Sequence, residues 1–220
     1  MSLRSEVLEQ LGTVYDPELD QPISTLGFVS SCSVSAEGDV SVRLRLPTPQ
    51  CAPNFAYLMA ADARDAVLAL TGARQVTVVL EDHYTGNEIN AAVAGDGGFG
   101  DAFPGETEGE LDALRELFRR KALVARQGRL LETVADPVSA RLGDLSGPDA
   151  GRCRELRGEL GIDASDDAPA FVRGDGTPVP APELARFARM ASLTAISLEA
   201  NGGVCRSLLS VRYGIEEVAA

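Results

Sequence analysis

The sequence predicts a mixed α/β chain of the α+β kind. A helix-strand-strand-helix-strand domain occupies residues 1–90, and a second region of helices ending in a hairpin occupies residues 107–220. Three observations predict this. Val40, Val42, Leu44 and Leu46 alternate with Ser41, Arg43 and Arg45, the period of a half-buried strand. The flanking segments carry apolar residues three and four apart, the period of a helix. Between the halves, residues 94–106 (AGDGGFGDAFPGE) are rich in glycine and acid, and a loop or linker is expected over residues 91–106.

Taken in order, Ser2 to Leu11 reads as a helix with Leu3, Val7, Leu8 and Leu11 on one face, Ser2 as cap and Gly12 as terminator. Pro17 then stiffens an Asp16-Pro17-Glu18 turn, because a residue before proline is held out of the helical region. Leu26 to Val34 is a strand with Leu26, Phe28, Cys32 and Val34 on one side, and Glu37-Gly38-Asp39 turns it into the strand Val40 to Leu46. Pro47, Pro49 and Pro53 exclude regular structure around Cys51. A helix follows from about Asn54 to Leu70, with Asn54 as cap or Pro53 in its first turn, and Gln75 to Leu80 is a third strand.

Beyond the glycine-rich stretch, Thr107-Glu108-Gly109-Glu110 has capping-box spacing and opens a helix carrying Leu111, Leu114, Leu117 and Phe118. Asp149 to Leu160 is a further helix, and a Gly-Asp-Gly turn joins Phe171–Arg173 to Thr177–Val179. Pro182 opens a helix to about Met190. Leu193 to Leu198 and Val204 to Tyr213 then read as two strands joined at Asn201-Gly202-Gly203, a hairpin signal.

The net charge of −13 opposes binding to nucleic acid and to anionic membrane surfaces. The acid is uneven: residues 1–106 hold 15 acidic and 5 basic residues. No apolar stretch approaches the length of a membrane span, the first 20 residues carry Glu6, Glu9 and Asp16 rather than a signal core, and a cytoplasmic chain is expected. Cys32, Cys51, Cys153 and Cys205 form no CxxC pair and are expected to stay reduced. With His83 the single histidine, one chain cannot build a site of two or three histidines.

Chemistry concentrates in residues 13–51. Asp16, Glu18 and Asp20 surround one proline, and Cys51 sits in a proline-stiffened loop just before a helix start. There, unpaired backbone donors and the helix dipole favour an anion such as a metal-binding thiolate. Hard oxygen and soft sulfur in one place suit iron. The plain alternatives are a small buried hydrophobe for Cys51 and ordinary turn chemistry for Asp16.

These residues carry a resemblance. EVLEQLGTVYDPELDQPISTLGFV, the hairpin, LPTPQCAPNFAYL and the VTVVLED strand together resemble the iron-sulfur cluster assembly domain family, which includes the SufT and PaaD proteins, over residues 6–82. The matching marks are Asp16-Pro17-Glu18, Leu26-Gly27 and Thr48-Pro49-Gln50-Cys51. The resemblance implies a small α/β domain acting as carrier or targeting factor rather than as an enzyme. Its functional cysteine falls on Cys51 and its acidic turn on Asp16 and Glu18, with Thr48 and Pro49 shaping the loop. Its cargo would be iron or an iron-sulfur cluster, held transiently. Its partner would be a client apoprotein, with an iron-dependent oxygenase as candidate. Where the family often has an aromatic Pro-Pro-Trp-like segment, this chain has Asp82-His83-Tyr84-Thr85-Gly86. The chain has no Walker motif, and residues 107–220 carry no resemblance.

One thiolate per chain falls short of the four ligands a cluster takes, so a cluster on Cys51 would be shared in a homodimer, or completed by a small thiol or a client residue. Cys32 is expected in the core; Cys153 and Cys205 are expected to be structural, though either would be able to join Cys51 in space. His83 is expected as a solvated strand end. Gly95 to Gly100 spells GxGxxG, but it neither follows a strand directly nor opens a helix, and Asp96 and Asp101 oppose a phosphate. Arg115, Arg119, Arg120 and Lys121 form a solvated helix face or a partner-docking face. A metal-free adaptor for an apo-client is the alternative function. An enzyme with Cys51 as nucleophile would have His83 as its imidazole base.

Overall fold

Ser2 starts the first helix, α1 (Leu3–Leu11), by accepting the Ser5 N–H on its hydroxyl. This and all that follows is seen in a computed structural model that describes residues 2–95, 97–105 and 108–215. Val7 and Leu11 are buried as their spacing requires, whereas Leu8 faces solvent. Two short strands, β1 (Tyr15–Asp16) and β2 (Gln21–Pro22), form the antiparallel ribbon of the acidic turn.

The main sheet has the order β3 (Val29–Val34), β4 (Asp39–Arg45), β5 (Gln75–Glu81). The β3–β4 pair is the expected hairpin, with one irregularity between Val29 and Ser31. The β3 strand starts three residues later than its pattern suggests, because Gly27 adopts a positive φ and turns the chain after Leu26. The β4–β5 pair is parallel, so the chain must cross over between them, and α2 (Pro53–Leu68) makes that crossing. Val40, Val42, Leu44 and Leu46 are all buried. They meet Val76, Val78 and Leu80 of β5 and the α2 face of Ala56, Ala60, Ala63 and Val67, whose small side chains let the helix lie close to the sheet.

Residues 86–105 correct the expectation of a linker. Gly86–Ala94 forms α3 and Phe99–Ala102 forms α4. Asn90 on α3 bonds both backbone groups of Leu80, closing part of the β5 edge. Phe99 is buried, with ring centroids 5.3 Å from Tyr57 and 5.0 Å from Phe103. Glycine and acid dominate the composition here, yet the aromatic residues decide the packing. Asp96 of the GxGxxG stretch and Thr107 of the capping box lie outside the described residues.

The chain divides into two compact units, Met1–Asp112 with Asn201–Ala220, and Ala113–Ala200. In the second, most of α5 (Glu108–Leu131) and all of α6 (Pro148–Glu159) pack Leu123, Leu130 and Leu156 in one core with Leu142 and Phe171 from the segments outside these helices. Two buried polar side chains hold the loop structure there. Arg157 is fully buried and donates to the carbonyls of Asp163, Pro169 and Ala170 at 3.2, 3.0 and 2.7 Å. Gln127 bonds both the N–H and the C=O of Val172. Gly128 has no room for a side chain: a Cβ would lie 2.6 Å from the Ala191 backbone carbon.

The expected C-terminal hairpin is overturned. Residues 184–213 form one helix, α7 (Leu184–Tyr213), through the Asn-Gly-Gly segment. Its buried residues Phe187, Ala191, Ala195, Leu198, Gly202 and Leu209 repeat at helical spacing. Exposed Leu193, Ile196, Val204, Leu208 and Val211 obscure that pattern in the sequence. Gly214, with φ of 63°, ends the helix.

Arg157→Ala is expected to destabilise the protein by roughly 3–5 kcal/mol in equilibrium denaturation, because it empties a fully buried site and takes the donor from the Asp163, Pro169 and Ala170 carbonyls, the last of them buried. A loss below about 1 kcal/mol would contradict that role.

Candidate functional site

Asp16 organises the acidic turn. Its Oδ1 accepts the N–H groups of Glu18 and Leu19, both at 2.9 Å, and its own carbonyl accepts the Asp20 N–H at 2.9 Å. Leu19 and Asp20 are buried beneath, and Glu18 is left exposed at the tip. Burial pushes the Asp16 carboxyl up to about 6, against the pull of the Leu19 and Glu18 N–H groups and with the help of the Glu18 charge.

The cysteine loop faces the start of α2. Ala52 is the cap position and Pro53 the first helical residue, where the missing N–H costs nothing. Thr48 organises the loop, its Oγ1 lying 3.4 Å from Cys51 Sγ and accepting the Gln50 N–H. The segment after β5 fastens it from the other side. The Pro49 carbonyl accepts the Tyr84 N–H at 2.8 Å, and His83 Nε2 lies 2.8 Å from the Cys51 carbonyl. A carbonyl only accepts, and His83 Nδ1 lies 3.3 Å from the Thr85 N–H, so the ring carries its proton on Nε2. His83 is therefore a half-buried loop fastener, not a solvated strand end, and neither nitrogen is turned to the thiol. Pro49, Cys51, Pro53, His83 and Tyr84 line a cleft of about 260 Å³. Tyr84 is 84% exposed at its rim.

A third element completes this face, and the sequence concealed it. Residues 201–213 of α7 lie on the N-terminal unit. The Gly202 backbone comes so near the Gln21 side chain that a Cβ would meet it at 2.6 Å. Arg206 bonds Gln21 Oε1 at 2.7 Å, and Leu209 is buried against Gly27. Arg212 donates to the carbonyls of Leu46 and Asp82 at 3.2 and 2.8 Å. Arg45 lies over the Tyr213 ring at 5.0 Å. Cys205 is on this docked side, half-buried. Burial first, then the negative charges of Asp16, Cys51 and Glu18, push its thiol up to about 11.

The structure packs both Cys51 and Cys205, half-buried, against the core of the first unit. It leaves Cys32 half-buried against the sheet core and Cys153 buried in the second unit. Among the described residues, no group of three or more His, Cys, Asp or Glu is arranged to hold a metal ion. Of the basic run, Arg119 pairs with Glu159 at 2.6 Å, Arg120 pairs with Glu116, and Lys121 lies 5.6 Å from the Phe118 ring centroid. Among the described residues, no helix is long and apolar enough to cross a membrane.

The first unit thus carries a cysteine loop at a helix start and an Asp-Pro-Glu turn. Residues 4–79 match the family described as iron-sulfur cluster assembly protein. An uncharacterized protein of Methanocaldococcus jannaschii is 34% identical over 90 residues, covering 41% of this chain and 93% of that relative. An Fe-S protein maturation auxiliary factor of Porphyromonas gingivalis is 30% identical over 80 residues, covering 36% of this chain and 74% of that relative. The chain belongs to the iron-sulfur cluster assembly protein family.

Asp16 titrates at about 6 in the folded protein against an ordinary 3.8. The folded state therefore holds this proton more tightly, and its stabilising effect is lost as pH rises through 6. Relative to Asp16→Asn, the wild type should lose up to about 3 kcal/mol of stability between pH 4 and 7, read by denaturation at each pH. A pH-independent difference between the two proteins would contradict the burial of this carboxyl.

Proposed function

We propose that the protein is an auxiliary factor in the maturation of iron-sulfur or iron proteins. Cys51 collects iron or a labile cluster and passes it to a client by ligand exchange. One observation carries this reading: a half-exposed thiol held at the N-terminus of α2, in a loop braced by Thr48 and His83, on the family's own domain. A braced loop keeps the thiol presented, and partial exposure lets an incoming ligand reach it. The relative named as a maturation auxiliary factor supports the same role.

Asp16 contributes chiefly by shaping the turn, since its Oδ1 is committed to two N–H groups. Glu18, exposed at the tip, is the carboxylate free to approach an ion or a client surface. The client is an apoprotein, with an iron-dependent oxygenase component as the specific candidate. A metal-free adaptor is the second reading, favoured by the exposed Tyr84 at the rim of the cleft beside Cys51, which suits contact with a protein surface.

Anaerobic reconstitution with iron and sulfide tests the reading. The wild type should acquire iron and a thiolate-to-iron absorption, and Cys51→Ala should lose both while keeping its thermal unfolding midpoint. Iron uptake unchanged by Cys51→Ala, or absent from the wild type, would sink the carrier reading and leave the adaptor.

A further inference from the structure

The chain carries a net charge of −13, yet its second unit gathers positive charge in one place. Several carboxylates of that unit are committed to ion pairs: Asp149 with Arg126 and Arg129, Glu159 with Arg119 and Arg152. Lys121 of α5 and Arg186 and Arg189 of α7 make no ion pair with any described residue. With Met190 and Leu193 these three line an open cleft of about 490 Å³, and no carboxylate is among its lining residues. Arg186 and Met190 also line an adjoining cleft of about 290 Å³ with Val124, Val179 and Phe187, whose one carboxylate, Glu183, is paired with Arg173. The backbones of α5 and α7 meet where Gly128 lies against Ala191, so both walls of the wider cleft are packed helices. Met190, Leu193 and Ile196 are 52%, 68% and 61% exposed and stand three residues apart, one apolar ridge along α7.

We infer that this trough docks an acidic amphipathic helix of a partner protein. Carboxylates beside the partner's apolar stripe meet Lys121, Arg186 and Arg189, and the stripe itself closes over Met190 and Leu193. Charge selects the partner, and the exposed ridge gives the contact its apolar centre. Nucleic acid and anionic lipid are also polyanions, but three cations on an acidic chain make too small a field for either. The trough also moves the docking face away from the basic run of α5. Arg119 and Arg120 of that run are committed to Glu159 and Glu116, and Lys121 lines the trough. The inference goes beyond the carrier reading: it gives the second unit a binding role and does not depend on what Cys51 holds.

Fluorescence anisotropy of labelled synthetic peptides with the full chain tests this. One peptide is an amphipathic helix with leucines three and four apart and glutamates on the flanks; the other has lysines in place of the glutamates. The acidic peptide should bind saturably, and the lysine peptide about tenfold or more weakly. The double variant Arg186→Glu, Arg189→Glu should reverse that preference. Leu193→Ser, which leaves the charge unchanged, should weaken the acidic peptide about fivefold or more. Arg74→Glu, at an exposed arginine of the first unit, should bind as the wild type does. The replaced side chains are all exposed, so matching thermal midpoints are expected and exclude unfolding as the cause. No saturable binding of the acidic peptide, or equal weakening by Arg74→Glu, overturns the inference, as does binding to phosphatidylserine vesicles in place of the peptide. None of these outcomes involves Cys51, so the carrier reading stands or falls by its own test.

Discussion

The arrangement depends on one constraint: the chain must return after 200 residues to cover the acidic turn and the cysteine loop. Residues 201–213 belong to the same compact unit as residues 1–112. Their hold combines a close backbone approach at Gly202, a buried leucine at Leu209 and charged hydrogen bonds from Arg206 and Arg212 to groups near the site. Burial of one leucine contributes about 1.5–3 kcal/mol, and hydrogen bonds from charged groups add a similar amount each. That is enough to keep the segment docked and weak enough for a partner to compete with it.

The cysteine loop itself is stiff for a reason that does not involve metal. Pro47, Pro49 and Pro53 restrict the backbone, and the 83–85 segment pins the loop through the Pro49 and Cys51 carbonyls. Asp82, one of the two non-glycine residues with positive φ among those described, turns the chain into that segment. The other is Asp20, which closes the acidic turn. Aspartate tolerates this region better than most residues, and such positions gather where geometry is imposed by function.

Much of the first unit was legible in the sequence because its signals are local. The Val40–Leu46 alternation, the Ser2 cap and Pro53 at a helix start each name their element within a few residues. The Asp16-Pro17-Glu18 and Thr48–Cys51 marks likewise identified the family. His83 was misjudged because its partner, the Cys51 carbonyl, is 32 residues away. The C-terminal hairpin was misjudged because Asn-Gly-Gly suits a tight turn and because exposed Leu193, Ile196, Val204 and Val211 fill in both faces of a helix. Counting small residues as buried ones would have exposed the true period, since Ala191, Ala195 and Gly202 mark the packed side.

The most direct test of this account is amide hydrogen exchange on the wild type and on Leu209→Asp, which places a charge where the docked segment buries a leucine. The account expects faster exchange in the variant at residues 201–213, at the Glu18 and Leu19 amides of the acidic turn, and in the 48–51 loop, with the β4–β5 core unchanged. Release of residues 201–213 with full protection kept at the acidic turn and the cysteine loop would contradict it. The face would then be complete without the C-terminal helix.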